Sequence, residues 1–355
     1  MTTPSRVERL VLAAIVGATF FILTLLWLSA GDPRRGAGDF TFPWIAARAL
    51  LDGREPYAAV LAESPYRSGF FYPLPAAVIA LPFAMLPATL AGAFFIGVGF
   101  AWLSYRLLAS GRWRLLVLTS APALFAVLAV QWSPLLTAAA LTGPALALAI
   151  AKPNIGVALA AAMVPGAPRP ARLVITTAAG AALLLGISLS VRPDWPMHWL
   201  AVLAGDTAGT QYRAPILTPY GCLAALAILR WRRPEARLLV ALACVGQNGF
   251  MYDQLPLLLV PSSPLQAVAL SAISHVSHIV ALWRPPADSS ILALSAQQYP
   301  FTVVAMYVPC VVMILRRPNE GHMPAWVERT VNHLPVWLRG RPASNGGGLP
   351  AQGAP

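Results

Sequence analysis

Three ionisable side chains stand where an apolar chain has least use for them. Asp39 lies in GDFTFPW (38–44), directly after a long apolar run. Lys152 is the only lysine among 25 Lys and Arg residues, and it interrupts ALALAIAKPNIG (145–156), far from other charge. Asp253 follows NGFMY and precedes QLPLLL. A carboxylate of this kind can take a proton as a general base. A lone lysine at membrane depth costs about 2.5–3.5 kcal/mol on insertion scales, so it needs a carboxylate, carbonyls or an anionic ligand such as phosphate. Each has a plainer reading. Asp39 could N-cap a helix over 42–51, Asp253 could cap the apolar piece that it opens, and Lys152 could snorkel from a helix end. Pro153 removes a backbone donor, so a helix must break beside Lys152.

Other chemistries find little support. No phosphate-binding loop, dinucleotide turn or His/Cys metal pattern is present, and no cofactor is called for. His275 and His278, with Ser274 and Ser277, lie on one apolar stretch, where hydrogen bonding between helices is the expected role rather than metal ligation. Cys222, Cys244 and Cys310 stand singly in apolar surroundings and read as small buried hydrophobes.

The elements that position these residues must sit in lipid. Apolar residues make up 57% of the 355 and charged residues 11%, with a mean hydropathy of +0.65. A soluble surface needs about a quarter of its residues charged. The net charge of +12 comes from small arginine clusters between apolar runs, the pattern of cytoplasmic loops rather than of nucleic-acid binding. The expected fold is therefore all-α, a polytopic transmembrane bundle.

A crossing needs roughly 20 apolar residues; candidate spans are 8–30, 88–109, 115–130, 172–191, 216–230, 237–250, 265–283 and 297–315. Shorter apolar pieces at 74–86, 133–141, 144–151, 154–166 and 254–262 are bounded by Pro and Gly. Short broken helices at membrane depth belong inside protein or beside a wet cavity. Placing the clusters Arg6/Arg9, Arg112/Arg114, Arg169/Arg172, Arg230 to Arg237 and Arg316/Arg317 inside gives roughly 10–12 spans with both termini inside. Residues 31–73, 192–215 and 284–296 then face the other side, with Lys152, Tyr252 and Asp253. Within the first external loop, 42–51 is expected as an interfacial helix, with Trp44, Ala47, Leu50 and Leu51 on one face and Gly53 as its C-cap. Residues 1–317 form the membrane domain, 318–341 an amphipathic cytoplasmic tail, and 342–355 a disordered end.

The motifs GDF (38–40), AARALLDGREPY (46–57), FFYPLPAAVIALPFAMLP (70–87), QWSPLL (131–136), AKPNIG (151–156) and YDQLPLLL (252–259), in that order, resemble glycosyltransferase family 87. The resemblance covers roughly 8–317 and is most specific from Gly38 to Pro87. The chain departs from the family pattern at Val130-Gln131, where GQ is usual, and at Thr142-Gly143-Pro144, where a basic turn is usual. The resemblance implies a GT-C type bundle of the inner (plasma) membrane with its active site on the non-cytoplasmic face. It implies inverting transfer of a mannose- or pentofuranose-type sugar from a polyprenyl-phosphate donor to a lipid- or glycan-linked acceptor, with Asp39 as the base. Lys152, with Arg48 or Arg67, would then hold the phosphate. Tyr57, Tyr72, Gln131, Tyr252 and Asp253 would contact substrate. A transporter or flippase for an anionic lipid would use the same Lys152 and the same broken helices, and a non-catalytic subunit of an envelope-assembly complex is a third reading.

Overall fold

Proline and glycine cut this apolar chain into more pieces than its hydropathy suggests. The computed structural model describes residues 4–31, 36–66, 68–205, 213–283 and 290–342. The helices in chain order begin with α1 (Arg6–Ala30), α2 (Thr41–Leu51), α3 (Pro56–Glu63), α4 (Pro75–Ala80) and α5 (Ala88–Leu107). The middle of the chain holds α6 (Ala121–Leu128), α7 (Ser133–Leu141), α8 (Pro153–Met163), α9 (Pro170–Val191), α10 (Trp195–Gly205) and α11 (Pro234–Cys244). Then come α12 (Pro264–Leu282), α13 (Ile291–Thr302), α14 (Val308–Leu315), α15 (Ala325–Val331) and α16 (Val336–Arg339). Most of the helices from α6 onward start with a proline in the first turn. There its missing N–H costs nothing and its fixed φ suits the helix. Among the described residues there is no strand, only two isolated bridges, Arg213 with Gln247 and Glu320 with Arg341.

Five helical stretches are long and apolar enough to cross a membrane: Arg6–Ala30, Ala88–Ser110, Pro170–Val191, Pro264–Leu282 and Ala293–Leu315. They coincide with five of the expected spans. The other three, 115–130, 216–230 and 237–250, are not single long helices. The first divides into a 3-10 stretch (Arg112–Thr119) and α6, the second is a 3-10 stretch (Gly221–Arg230), and the third stops at Cys244. Counting α6 and α7 as one bent span raises the number to six, with 119° between them. Long apolar side chains such as Leu10, Ile15, Leu26, Ile175, Leu183 and Val276 face outward, which suits a bundle whose outer solvent is hydrocarbon.

Small residues bring α1 and α5 together. A Cβ on Gly17 would lie 2.6 Å from Ala101 Cβ, and Phe20 stacks on Phe100 at 3.8 Å between centroids. Such close approach is how helices associate in lipid, where apolar burial alone gives no advantage.

The first loop is helical where the sequence placed a helix, and most of that helix is buried within the protein. Thr41, Pro43, Ile45, Ala46, Ala47 and Ala49 of α2 are all buried. Leu51, assigned to the apolar face, is 56% exposed. The Trp44 indole donates to Leu86 O at 3.1 Å. Small residues on several sides let α2 sink into the bundle, which an i, i+3, i+4 stripe alone does not reveal. Gly53 does end the helix, with φ +70° and Arg54 N donating to Ala49 O at 2.8 Å.

The arginine clusters gather at one end. Arg112 pairs with Glu8. Arg114 donates to Leu259 O and Pro261 O, Arg237 to Ala161 O and Ala162 O, and Arg230 to Leu315 O and Arg317 O. These carbonyls close helix C-termini, where cations are favoured. The tail packs against the same end. Arg232, 1% exposed, holds Glu328 in a two-point pair at 2.6 and 2.7 Å, while Trp326 and Trp337 stay exposed. The expected disordered end, apart from Pro342, lies outside the described residues.

Candidate functional site: a buried carboxylate relay

The 25 residues of α1 span about 37 Å at 1.5 Å per residue, so the segment after α1 lies far from the arginine end. There Gly38–Phe40 forms a single 3-10 turn leading into α2. Asp39 does not cap that helix. Its carboxylate Oδ2 instead accepts from Gln131 Nε2, and its backbone N donates to Ala129 O at 2.9 Å. Phe40 anchors the turn from behind, stacked on Phe95 at 4.1 Å and near Trp132 at 6.2 Å.

Gln131 is presented by the break between α6 and α7. Val130 before it has φ +51° and is the only non-glycine residue with positive φ among those described. A β-branched residue is strained in that conformation. Gly38 packs against this strained turn, and a Cβ there would meet Ala129 O at 2.8 Å and Val130 Cγ2 at 2.9 Å. Only glycine lets the two turns touch.

The relay continues inward. Lys152 Nζ donates to Gln131 Oε1 at 3.0 Å and to Asp253 Oδ1 at 2.6 Å. It also lies over the Tyr252 ring, 5.0 Å from the centroid. Lys152 sits between the 3-10 stretch Pro144–Ala151 and α8, where Pro153 forces the break. Asp253 belongs to a further 3-10 stretch (Met251–Leu259) and caps no helix end. Its Oδ2 is buried with no hydrogen-bond partner among the described residues.

The relay is most accessible at its Asp39 end. Asp39 is partly exposed, Lys152 is 9% exposed, Gln131 1% and Asp253 0%. Asp39 is thus the member that reaches accessible surface. Packing around its carboxylate is nonetheless dense, and desolvation pushes its pKa from 3.8 up to about 6, against the pull of Lys152 and of the Gln131 bond, with Asp253 adding a smaller upward push.

Of the residues singled out from sequence, the fold brings Asp39, Gln131, Lys152, Tyr252 and Asp253 together. Tyr57 and Tyr72 lie in the neighbouring first loop. The Tyr57 hydroxyl donates to Tyr72 O at 3.3 Å, and the Tyr72 ring lies 6.1 Å from Trp132. Arg48 is exposed on α2 with its guanidinium over Trp44. Arg67 lies outside the described residues. The first loop is tied to the segment after α9: Arg192 donates to Gly53 O at 2.6 Å, His198 meets Glu55 at 3.1 Å, and Trp199 donates to Phe71 O at 2.9 Å.

A second buried polar layer adjoins Asp253. Gln254 Nε2 donates to Gln247 Oε1, which also accepts from Tyr307 at 2.8 Å, and Asn248 Nδ2 donates to the Tyr252 hydroxyl. Tyr307 closes a π-helical turn (Val303–Tyr307). Sequence reasoning passed over Gln247, Asn248, Gln254 and Tyr307, although three amides within eight positions of an apolar chain, QNGFMYDQ (247–254), were a visible signal. Ser274, His275 and Ser277 make helix-to-helix bonds, to Ala121 N, Thr119 O and Phe301 O. No group of three metal-ligating side chains occurs among the described residues.

Comparison with family models, with curated proteins and with solved structures gave no match.

Proposed function

We propose that this chain is an inverting glycosyltransferase of the GT-C type, embedded in the inner (plasma) membrane, with Asp39 as its general base on the non-cytoplasmic face. One observation carries the reading: an aspartate on a partly exposed turn, tied through Oδ2 to Gln131 at the end of a buried polar relay, with its pKa raised by burial to about 6. A base is most effective when its pKa lies near the working pH.

The donor is a polyprenyl-phosphate mannose- or pentofuranose-type sugar, and the acceptor a lipid- or glycan-linked hydroxyl. The acceptor oxygen attacks the anomeric carbon as its proton passes to Asp39. The bond from that carbon to the phosphate oxygen breaks, and polyprenyl phosphate leaves with the electron pair. No cofactor enters the balance. Arg48, exposed on α2, is the described arginine assigned to the leaving phosphate. Short broken helices around the relay, α6, α7 and α8 among them, let lipid-linked substrates approach from the bilayer.

Val130, where the chain departs from the family pattern, has a left-handed backbone. The family pattern has glycine before this glutamine, and glycine is the residue such a backbone prefers.

The test is transfer by purified protein in proteoliposomes, with a radiolabelled polyprenyl-phosphate mannose donor and a lipid-linked mannoside acceptor. Asp39→Asn is expected to lose at least about 10²-fold in rate while keeping its fold. Full turnover by Asp39→Asn overturns the assigned base. Counterflow of intact donor lipid without sugar transfer would favour a flippase instead.

A further inference from the structure

We propose that Lys152 is a positioning residue for Asp39, acting through the Gln131 amide, and not the cation that holds the donor phosphate. This inference rests on Asp39 being the reacting group.

The hydrogen-bond inventory leads there. Lysine offers only donors, and glutamine offers one acceptor oxygen and one NH2 group. With Lys152 Nζ on Gln131 Oε1 at 3.0 Å, the amide can present only its NH2 to Asp39. That NH2 donates to Oδ2. Oδ2 is therefore committed, and Oδ1 has no hydrogen-bond partner among the described residues, so it is the oxygen open to an incoming hydroxyl. Asp253 in turn fixes Lys152 at 2.6 Å from a fully buried position, and the Tyr252 ring covers the ammonium. A lysine with its charge matched by a buried carboxylate, and nine-tenths buried itself, has little left to offer a phosphate.

The backbone serves the same end. The Asp39 N–H to Ala129 O bond, the contact of Gly38 with Val130 and the strained φ of Val130 fix the distance between Asp39 and Gln131. Strain of this kind persists where the surroundings over-determine it, often at functional sites. Among the described residues, the charged groups that act on Asp39 are Lys152 and Asp253. Both belong to the relay, which orients Asp39 and, through Lys152 and the Gln131 bond, offsets part of the rise in its proton affinity that burial causes.

The test is a double-mutant cycle between Gln131→Leu and the charge-free pair Lys152→Met/Asp253→Leu. The pair removes both buried charges together, which avoids the folding penalty of leaving one unmatched. If Lys152 acts through Gln131, each change lowers kcat about tenfold or more with donor KM within about twofold, and the combined variant is no worse than either alone. If Lys152 binds the phosphate, donor KM rises about tenfold in the pair, the two losses add, and the proposal falls. A second readout needs no activity. The infrared band of the protonated Asp39 carboxyl, identified by its loss in Asp39→Asn, should persist to higher pH in Gln131→Leu than in wild type. An unmoved titration overturns the proposal. Absence of sugar transfer by the wild-type protein would sink the glycosyltransferase reading and leave the infrared result to decide the positioning role.

Discussion

Lys152 and Asp253 meet at 2.6 Å across 101 positions of sequence, with Asp253 wholly buried. Breaking such a pair from one side leaves an uncompensated charge inside the protein and costs about 3–5 kcal/mol. Lys152→Met alone is therefore expected to lower the Tm in detergent far more than Lys152→Met/Asp253→Leu does. Equal losses for the two variants would show that the pair contributes nothing to the fold.

The Asp39 carboxyl lies near pH 6, and a base must be ionised to work. Activity as kcat/KM is expected to rise with pH along an acid limb with its midpoint close to that value, falling about tenfold per pH unit below it. The stability sign is opposite. A carboxyl whose pKa is raised on folding stabilises most when protonated, fully so below 3.8, and that contribution is lost as pH climbs through about 6. At pH 7 Asp39→Asn should thus have a Tm at or above wild type. A lower Tm would mark Asp39 as a structural residue.

Gln131→Glu keeps the shape of the side chain and reverses the chemistry. A carboxylate there can still accept from Lys152 but has no N–H to give Asp39, and it adds a like charge beside it. The acid limb is expected to move to higher pH and the rate at pH 7 to drop. An unchanged pH profile would argue that the Gln131 contact with Asp39 is incidental.

Gly38→Ala tests the joint between the first loop and the α6–α7 break. The new Cβ would sit 2.8 Å from Ala129 O on a backbone with φ +58°. Strain of this kind costs about 1–3 kcal/mol, and the turn that carries Asp39 must shift. Loss of transfer together with a lower Tm is expected. A variant with both intact would mean that the contact yields easily.

At the other end, Glu328 is held below the usual carboxylate range by its hydrogen bonds from Arg232. Its contribution to tail docking is present above its ordinary value of 4.5 and is lost as pH falls through its lowered value. Limited proteolysis between 322 and 342 should accelerate in Arg232→Ala at pH 7, and in wild type only at acid pH. Equal cleavage of both at pH 7 would place the restraint elsewhere, for instance on the Asn319 carbonyl that accepts from Arg341 N at 2.8 Å.

The amino-acid pattern alone determined that this is a helical protein with lipid-length apolar segments, because hydropathy and charge clustering are local properties summed along the chain. It also marked Asp39, Lys152 and Asp253, because an ionisable group beside or within an apolar stretch carries a cost that must be offset somewhere; Gln131 stood out only through the family resemblance. What offsets it was not legible. The partners stand 92, 21 and 101 positions apart, and no periodicity links residues across such distances. Nor could the pattern distinguish a capping Asp39 from one drawn to Gln131, or a snorkelling Lys152 from one matched by Asp253. Those outcomes depend on which elements pack together, and here the left-handed turn at Val130 and the proline breaks decided it by bringing three interrupted helical segments to one point.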